Sequence, residues 1–111
     1  MKAPLTKEEK ARIPFVLNLI KKSDGYISGR QICNLINKHK PMADAKMTDA
    51  RLRKMLHYAR MSSTTKRGAI IASSFGYKYT TDKSEMSTYV LSLVERADKI
   101  MDLAKKVKSC L

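Results

Sequence analysis

Arg53, Lys54 and His57 lie one and three residues apart in a segment that reads as helix, so the three side chains share one face. Such a face can hold a polyanion. Guanidinium and ammonium groups bind phosphate oxygens, and a forked Arg can also donate to base edges in a groove. Lys46, Thr48 and Ala50 stand at the start of the same helix and add a cation, a hydroxyl and a small residue. Lys66 and Arg67 follow in the polar stretch 62–68, placed to grip backbone phosphate. Lys78 is the only cation on the two strand patterns that come next. A plain solvated basic face fits the same residues, and the placement of charge along the chain weighs against it.

Residues 37–67 hold nine Lys or Arg against Asp44 and Asp49, a net of +7, whereas residues 82–109 hold six basic and five acidic side chains, a net of +1. Over half of the +13 total therefore sits in one stretch. Clustering of this kind favours nucleic acid, whose neutralised phosphates release counterions, over a role in solubility alone.

Other chemistries find no support in the spacing. His39 and His57 have no nucleophile or ordering carboxylate at a telling distance in sequence. Gly25, Gly29, Gly68 and Gly76 are dispersed and form no phosphate-cradling loop. Asp24, Asp44 and Asp49 form no acidic metal cluster. Cys33 and Cys110 have neither metal-ligand spacing nor a disulfide framework. Cys33 reads as a small core residue and Cys110 as an exposed thiol, a usage that suits a reducing cytoplasm. The expectation is a binding protein without catalysis, cofactor or metal. Glu8 and Glu9 precede the first apolar run and Asn18 interrupts it, unlike a signal peptide.

The 111 residues suit one domain with a modest core. Thr6 to Glu9 is a capping box, and Ile13, Val16, Leu17 and Ile20 recur at helical spacing. Pro14 disfavours helix at Ile13, which predicts a short opening turn and a main first helix over 13–22. Ser28 to Gln31 is a second capping box, for a helix that Pro41 stops near Lys40. Thr48 caps a third helix running to about Met61, with Leu52, Met55, Leu56 and Ala59 inward and Ala50, Arg53, Lys54, His57 and Met61 outward. Residues 69–73 and 77–80 read as a hairpin turned by Ser74, Phe75 and Gly76. Asp82 to Glu85 is an Asp form of the capping box opening a last helix. Its Met86, Val90, Leu93, Ala97, Ile100, Ala104, Val107 and Leu111 alternate spacings of 4 and 3, supported by the pairs Glu95–Lys99 and Asp102–Lys106. About 28 residues at roughly 1.5 Å each outrun a body of about 30 Å.

The phrases GYISGRQI over 25–32, RLRKMLHYAR over 51–60, IIASSFGYKYT over 70–80 and DKSEM over 82–86 resemble small winged helix-turn-helix proteins of bacteriophages and mobile elements. The resemblance covers about residues 10–109. It implies a mainly α fold with a β-hairpin wing: a winged domain over 1–81 and a long helix over 82–111 that packs on it. It also implies a double-stranded DNA partner, with Arg53, Lys54 and His57 in the major groove, for a transcription or replication accessory factor of the bacterial cytoplasm. The segment 40–47 is longer than the turn of a compact helix-turn-helix, and the wing has no Arg at its tip. A protein-interaction module on the same scaffold is the second reading, with Met42, Met47 and Met61 as candidate contacts. In the last helix, Met86, Val90 and Leu93 are expected against the domain. Ala97, Ile100, Ala104 and Val107 are expected in a homodimer interface that sets two recognition helices about 34 Å apart over a palindromic site.

Overall fold

The computed structural model describes residues 4–62 and 68–111, so Lys66 and Arg67 lie outside the described residues. Four helices and a two-stranded antiparallel hairpin follow in the order α1 (Lys7–Lys22), α2 (Gly29–His39), α3 (Asp49–Ser62), β1 (Ala69–Ser73), β2 (Gly76–Thr80) and α4 (Lys83–Lys108). The chain divides into two compact units, Met1–Tyr79 and Thr80–Leu111.

In the first unit α1, α2 and α3 pack mutually around one core. Val16 and Ile20 come from α1, Ile32, Cys33 and Ile36 from α2, and Leu52, Met55 and Leu56 from α3. Both capping boxes form: Thr6 Oγ1 accepts from the Glu9 N–H at 3.1 Å, and Ser28 Oγ from the Gln31 N–H at 3.1 Å. The break expected at Pro14 does not occur, and α1 runs through it. Pro14 is exposed and forfeits one backbone bond, a cost of about 3 kcal/mol in an isolated helix. Buried Val16 and Ile20 on the far face, at about 1.5–3 kcal/mol each, outweigh it. Burial, then the Asp49 carboxylate, pushes the Cys33 thiol up, so it remains a neutral core residue.

The long α2–α3 connection is tied down at both ends. The Asn37 side chain accepts from the Met47 N–H at 2.8 Å and donates to the Met47 carbonyl at 3.2 Å, imitating a strand neighbour. Arg12 donates to the Lys40 and Pro41 carbonyls at 3.2 and 2.7 Å, and Glu8 accepts from the Ala43 N–H at 3.3 Å. Met42 and Met47 are buried in the core, where unbranched side chains fill irregular space, and only Met61 of the three stands exposed.

Ile27, just before α2, pairs antiparallel with Tyr77, each N–H donating to the other's carbonyl at 2.8 Å. The hairpin is thus tied to the helices rather than standing alone, which a two-stranded ribbon does poorly. Tyr77 and Tyr79 pack against the core from one face of β2. Gly76 makes this possible, with φ of 125° and a position where a Cβ would overlap the Ile27 carbonyl.

In the second unit Asp82 Oδ1 accepts from the Ser84 and Glu85 N–H groups at 2.8 and 3.3 Å, so the Asp cap forms. Its capping-box return does not. Glu85 instead accepts from the Thr80 hydroxyl at 2.6 Å, and that hydroxyl takes the Asp82 N–H at 3.1 Å. No side chain of α4 is buried: Met86 is half-buried, and Val90 and Leu93 are 55% and 41% exposed. Among the described residues no ion pair joins Glu95 to Lys99 or Asp102 to Lys106, since exposed pairs return little for the side-chain freedom they cost. None of the helices is long and apolar enough to cross a membrane among the described residues.

Gly25 also has positive φ, at 90°, but with open space about it. Gly76→Ala is therefore expected to cost clearly more than Gly25→Ala, by about 1–3 kcal/mol, in urea unfolding. Equal losses would show that the Ile27–Tyr77 junction is not sensitive to crowding at Gly76.

Candidate functional site

The cations of α3 are sorted by one buried carboxylate. Glu9, on the first turn of α1, is almost wholly shielded. Its Oε2 accepts from Arg51 Nε at 3.1 Å, and its Oε1 accepts from the Thr6 N–H at 2.9 Å and lies 3.5 Å from Lys54 Nζ. Arg51 extends the network by donating to both Asp44 oxygens at 3.2 and 3.4 Å and to the Ala45 carbonyl at 3.2 Å. Helix α1, the α2–α3 connection and α3 thus meet at one guanidinium. Burial pushes Glu9 up, but the Thr6 N–H, the Arg51 hydrogen bond and the nearby Lys54 and Arg51 charges outweigh it and hold the carboxyl below its ordinary 4.5. The Arg51 hydrogen bond likewise holds Asp44 down.

Lys54 therefore turns toward Glu9 and is only partly open, whereas Arg53 and His57 are exposed on the other flank of the helix. Arg53 Nε lies 3.2 Å from Asp49, a pair exposed at both ends. An exposed pair of this kind is worth about 0–1 kcal/mol, so an incoming phosphate can compete for the guanidinium. Lys46 and Ala50 are also exposed. Thr48 Oγ1 accepts from the Arg51 N–H at 3.2 Å, so this hydroxyl serves as the cap of α3. Lys78 lies with Nζ 5.7 Å from the Tyr26 ring centre, and Tyr26 meets exposed Phe75 at 6.4 Å between ring centres. Ala97, Ile100, Ala104 and Val107 are all exposed on α4.

Tyr77 was not singled out by the pattern of cations, yet it ties the hairpin to Ile27 and sits near the charges of α3. Burial first, then Asp49, pushes its phenol up, while Arg53 and Arg60 pull it down, so the ring lies within electrostatic reach of the exposed flank. Arg51 and Glu9 were also missed. Arg51 falls beside Met55 on a wheel of about 100° per residue, the border position where a buried partner is to be sought. Glu9 looked fully used by its cap.

A shallow cavity of about 320 Å³ opens beside Lys54 and His57, lined also by Leu5, Tyr58 and Met61. No group of three His, Cys, Asp or Glu among the described residues is placed to hold a metal. Compared with known protein families, curated proteins and solved structures, the chain has no match.

Because Glu9 is held down in the folded state, its contribution to stability is complete above the ordinary 4.5 and is lost as pH falls toward the folded value. Urea midpoints measured from pH 7 to pH 3 should therefore drop for the parent chain. Glu9→Gln should lower the pH 7 midpoint, by about 3 kcal/mol in stability, and flatten the acid limb. An acid limb of unchanged slope in the variant would assign the effect elsewhere.

Proposed function

We propose that this chain binds double-stranded DNA as a winged helix-turn-helix protein, with α3 as the recognition helix and β1–β2 as the wing. The observation that carries the reading is the net +7 of residues 37–67, whose Lys46, Arg53 and His57 lie exposed at the start and along one flank of α3. The order of three helices, a pairing at Ile27 and a hairpin agrees with this scaffold. Arg53, released from Asp49, reads base edges; Lys46 and the Thr48 hydroxyl meet phosphate beside it. Lys66 and Arg67 add backbone contacts, and Lys78 one more from the hairpin. Lys54 contributes less, being shared with Glu9. A transcription or replication accessory role in the cytoplasm follows from the likeness to small phage-type proteins.

The second reading, a protein-interaction module, draws on a different observation. Exposed Tyr58 and Met61 border the cavity beside Leu5, and such side chains are favoured at interfaces.

Binding to a random-sequence duplex separates the two. With about six phosphates neutralised, log affinity should fall against log salt at a slope of roughly −5. No shift of any duplex at low salt would overturn the DNA reading and favour the module.

Two variants divide the cations by task. Arg53→Ala should cost about 1–3 kcal/mol on a preferred site and relax selectivity there, while Lys66→Ala should weaken all duplexes alike. Competition titrations with specific and random duplexes give both numbers, and equal losses in both variants on both duplexes would refute the division.

A further inference from the structure

Helix α4 carries a continuous apolar seam of exposed side chains. Val90, Leu93, Ile100 and Val107 are each 41–66% exposed, and Val94, Met101 and Leu103 flank them at 50–63%. Leu111 extends the seam, its N–H donating to the Lys108 carbonyl at 3.1 Å. A period of 3.5 residues is that of two helices wound about each other.

We propose that α4 pairs with α4 of a second copy of this chain, antiparallel, in a single register whose two-fold axis lies between Asp98 and Lys99. Two independent features of the helix select this arrangement.

The first is size. In this register Ala97 meets Ile100 of the second copy and Leu93 meets Ala104, each pair occurring twice. Every small seam residue lies opposite a large one. Val90 meets Val107, and Met86 meets Leu111. A parallel, in-register pair would instead stack Ala97 on Ala97 and Ala104 on Ala104, between layers of two Leu, two Ile or two Val. Layers that alternate thin and thick leave gaps that close packing disfavours. Sliding the antiparallel pair by seven residues in either direction uncovers seam residues at both ends. At the flank the register also sets Val94 beside Met101 of the second copy, extending the apolar contact.

The second is charge. Residues 82–95 hold Asp82, Glu85 and Glu95 against Lys83, a net of −2. Residues 96–111 hold five basic side chains against Asp98 and Asp102, a net of +3. Antiparallel pairing brings the acidic half of each helix onto the basic half of the other and opposes their dipoles; parallel pairing sets like halves together. The pairing stands whether or not the chain binds DNA. It places the two Lys83 residues at opposite ends of the helix pair, about 46 Å apart along the axis.

The test takes the full-length chain. Sedimentation at high micromolar concentration should give twice the 12.6 kDa chain mass, and Ile100→Glu should give the monomer with helical circular dichroism retained. Orientation is read in a Ser87→Cys, Lys108→Cys, Cys110→Ser variant oxidised in air and mapped by peptide mass spectrometry. Positions 87 and 108 of one helix are about 32 Å apart, so a disulfide joining them is intermolecular. The expected product is the 87–108 link in a covalent dimer. Links of 87 to 87 and 108 to 108 would establish parallel pairing and overturn the register. A monomeric parent chain would overturn the pairing altogether.

Discussion

One buried carboxylate sets the geometry on which the basic surface depends. Glu9 sits where a bare negative charge would be intolerable, and it remains ionised because Thr6, Arg51 and Lys54 surround it. Satisfying that charge fixes the rotation of α3 about its own axis, since Arg51 and Lys54 must both turn toward α1. The flank carrying Arg53 and His57 is then the one left outside. Arg51 also gathers Asp44 and Ala45, so the same interaction orders the connection leading into α3. A cluster of positive charge is thereby divided into a structural part, already neutralised, and an outer part able to meet an anion.

The hairpin depends on a different constraint, the close approach of Gly76 to Ile27. Only a residue without Cβ lets the turn come in far enough for the two-bond pairing of Ile27 with Tyr77. That pairing holds Tyr77 within electrostatic reach of Asp49 and Arg53 on α3. Gly29 contributes in the same place, its missing Cβ leaving room for the Asp49 carboxylate.

Local chemistry was legible in the sequence, and long-range chemistry was not. Thr6, Ser28, Thr48 and Asp82 announced the helix starts because a cap is settled within four residues. Leu52, Met55, Leu56 and Ala59 announced the inner face of α3 through their period, and all four are buried. Pro14 misled because its cost is local, whereas the burial of Val16 and Ile20 that offsets it is tertiary. Met42 and Met47 misled because a loop long in sequence looked open, although Asn37, Arg12 and Glu8 pin it from elements up to 35 residues away. The bond from Arg51 to Glu9 spans 42 residues, beyond the reach of any periodicity. The outer basic residues could be read as a group, but which of them were already committed could not.

The division of the α3 cations is tested most directly by the arginine Nε–H signals in a nitrogen–proton correlation spectrum, followed while a random-sequence duplex is added at low salt. Arg51 and Arg53 stand two residues apart on one helix and report the inner and outer roles separately. The account predicts that the Arg53 signal moves as its bond to Asp49 gives way to phosphate, while the Arg51 signal stays in place on Glu9. Movement of Arg51 with Arg53 unchanged, or no movement of either signal, would contradict it.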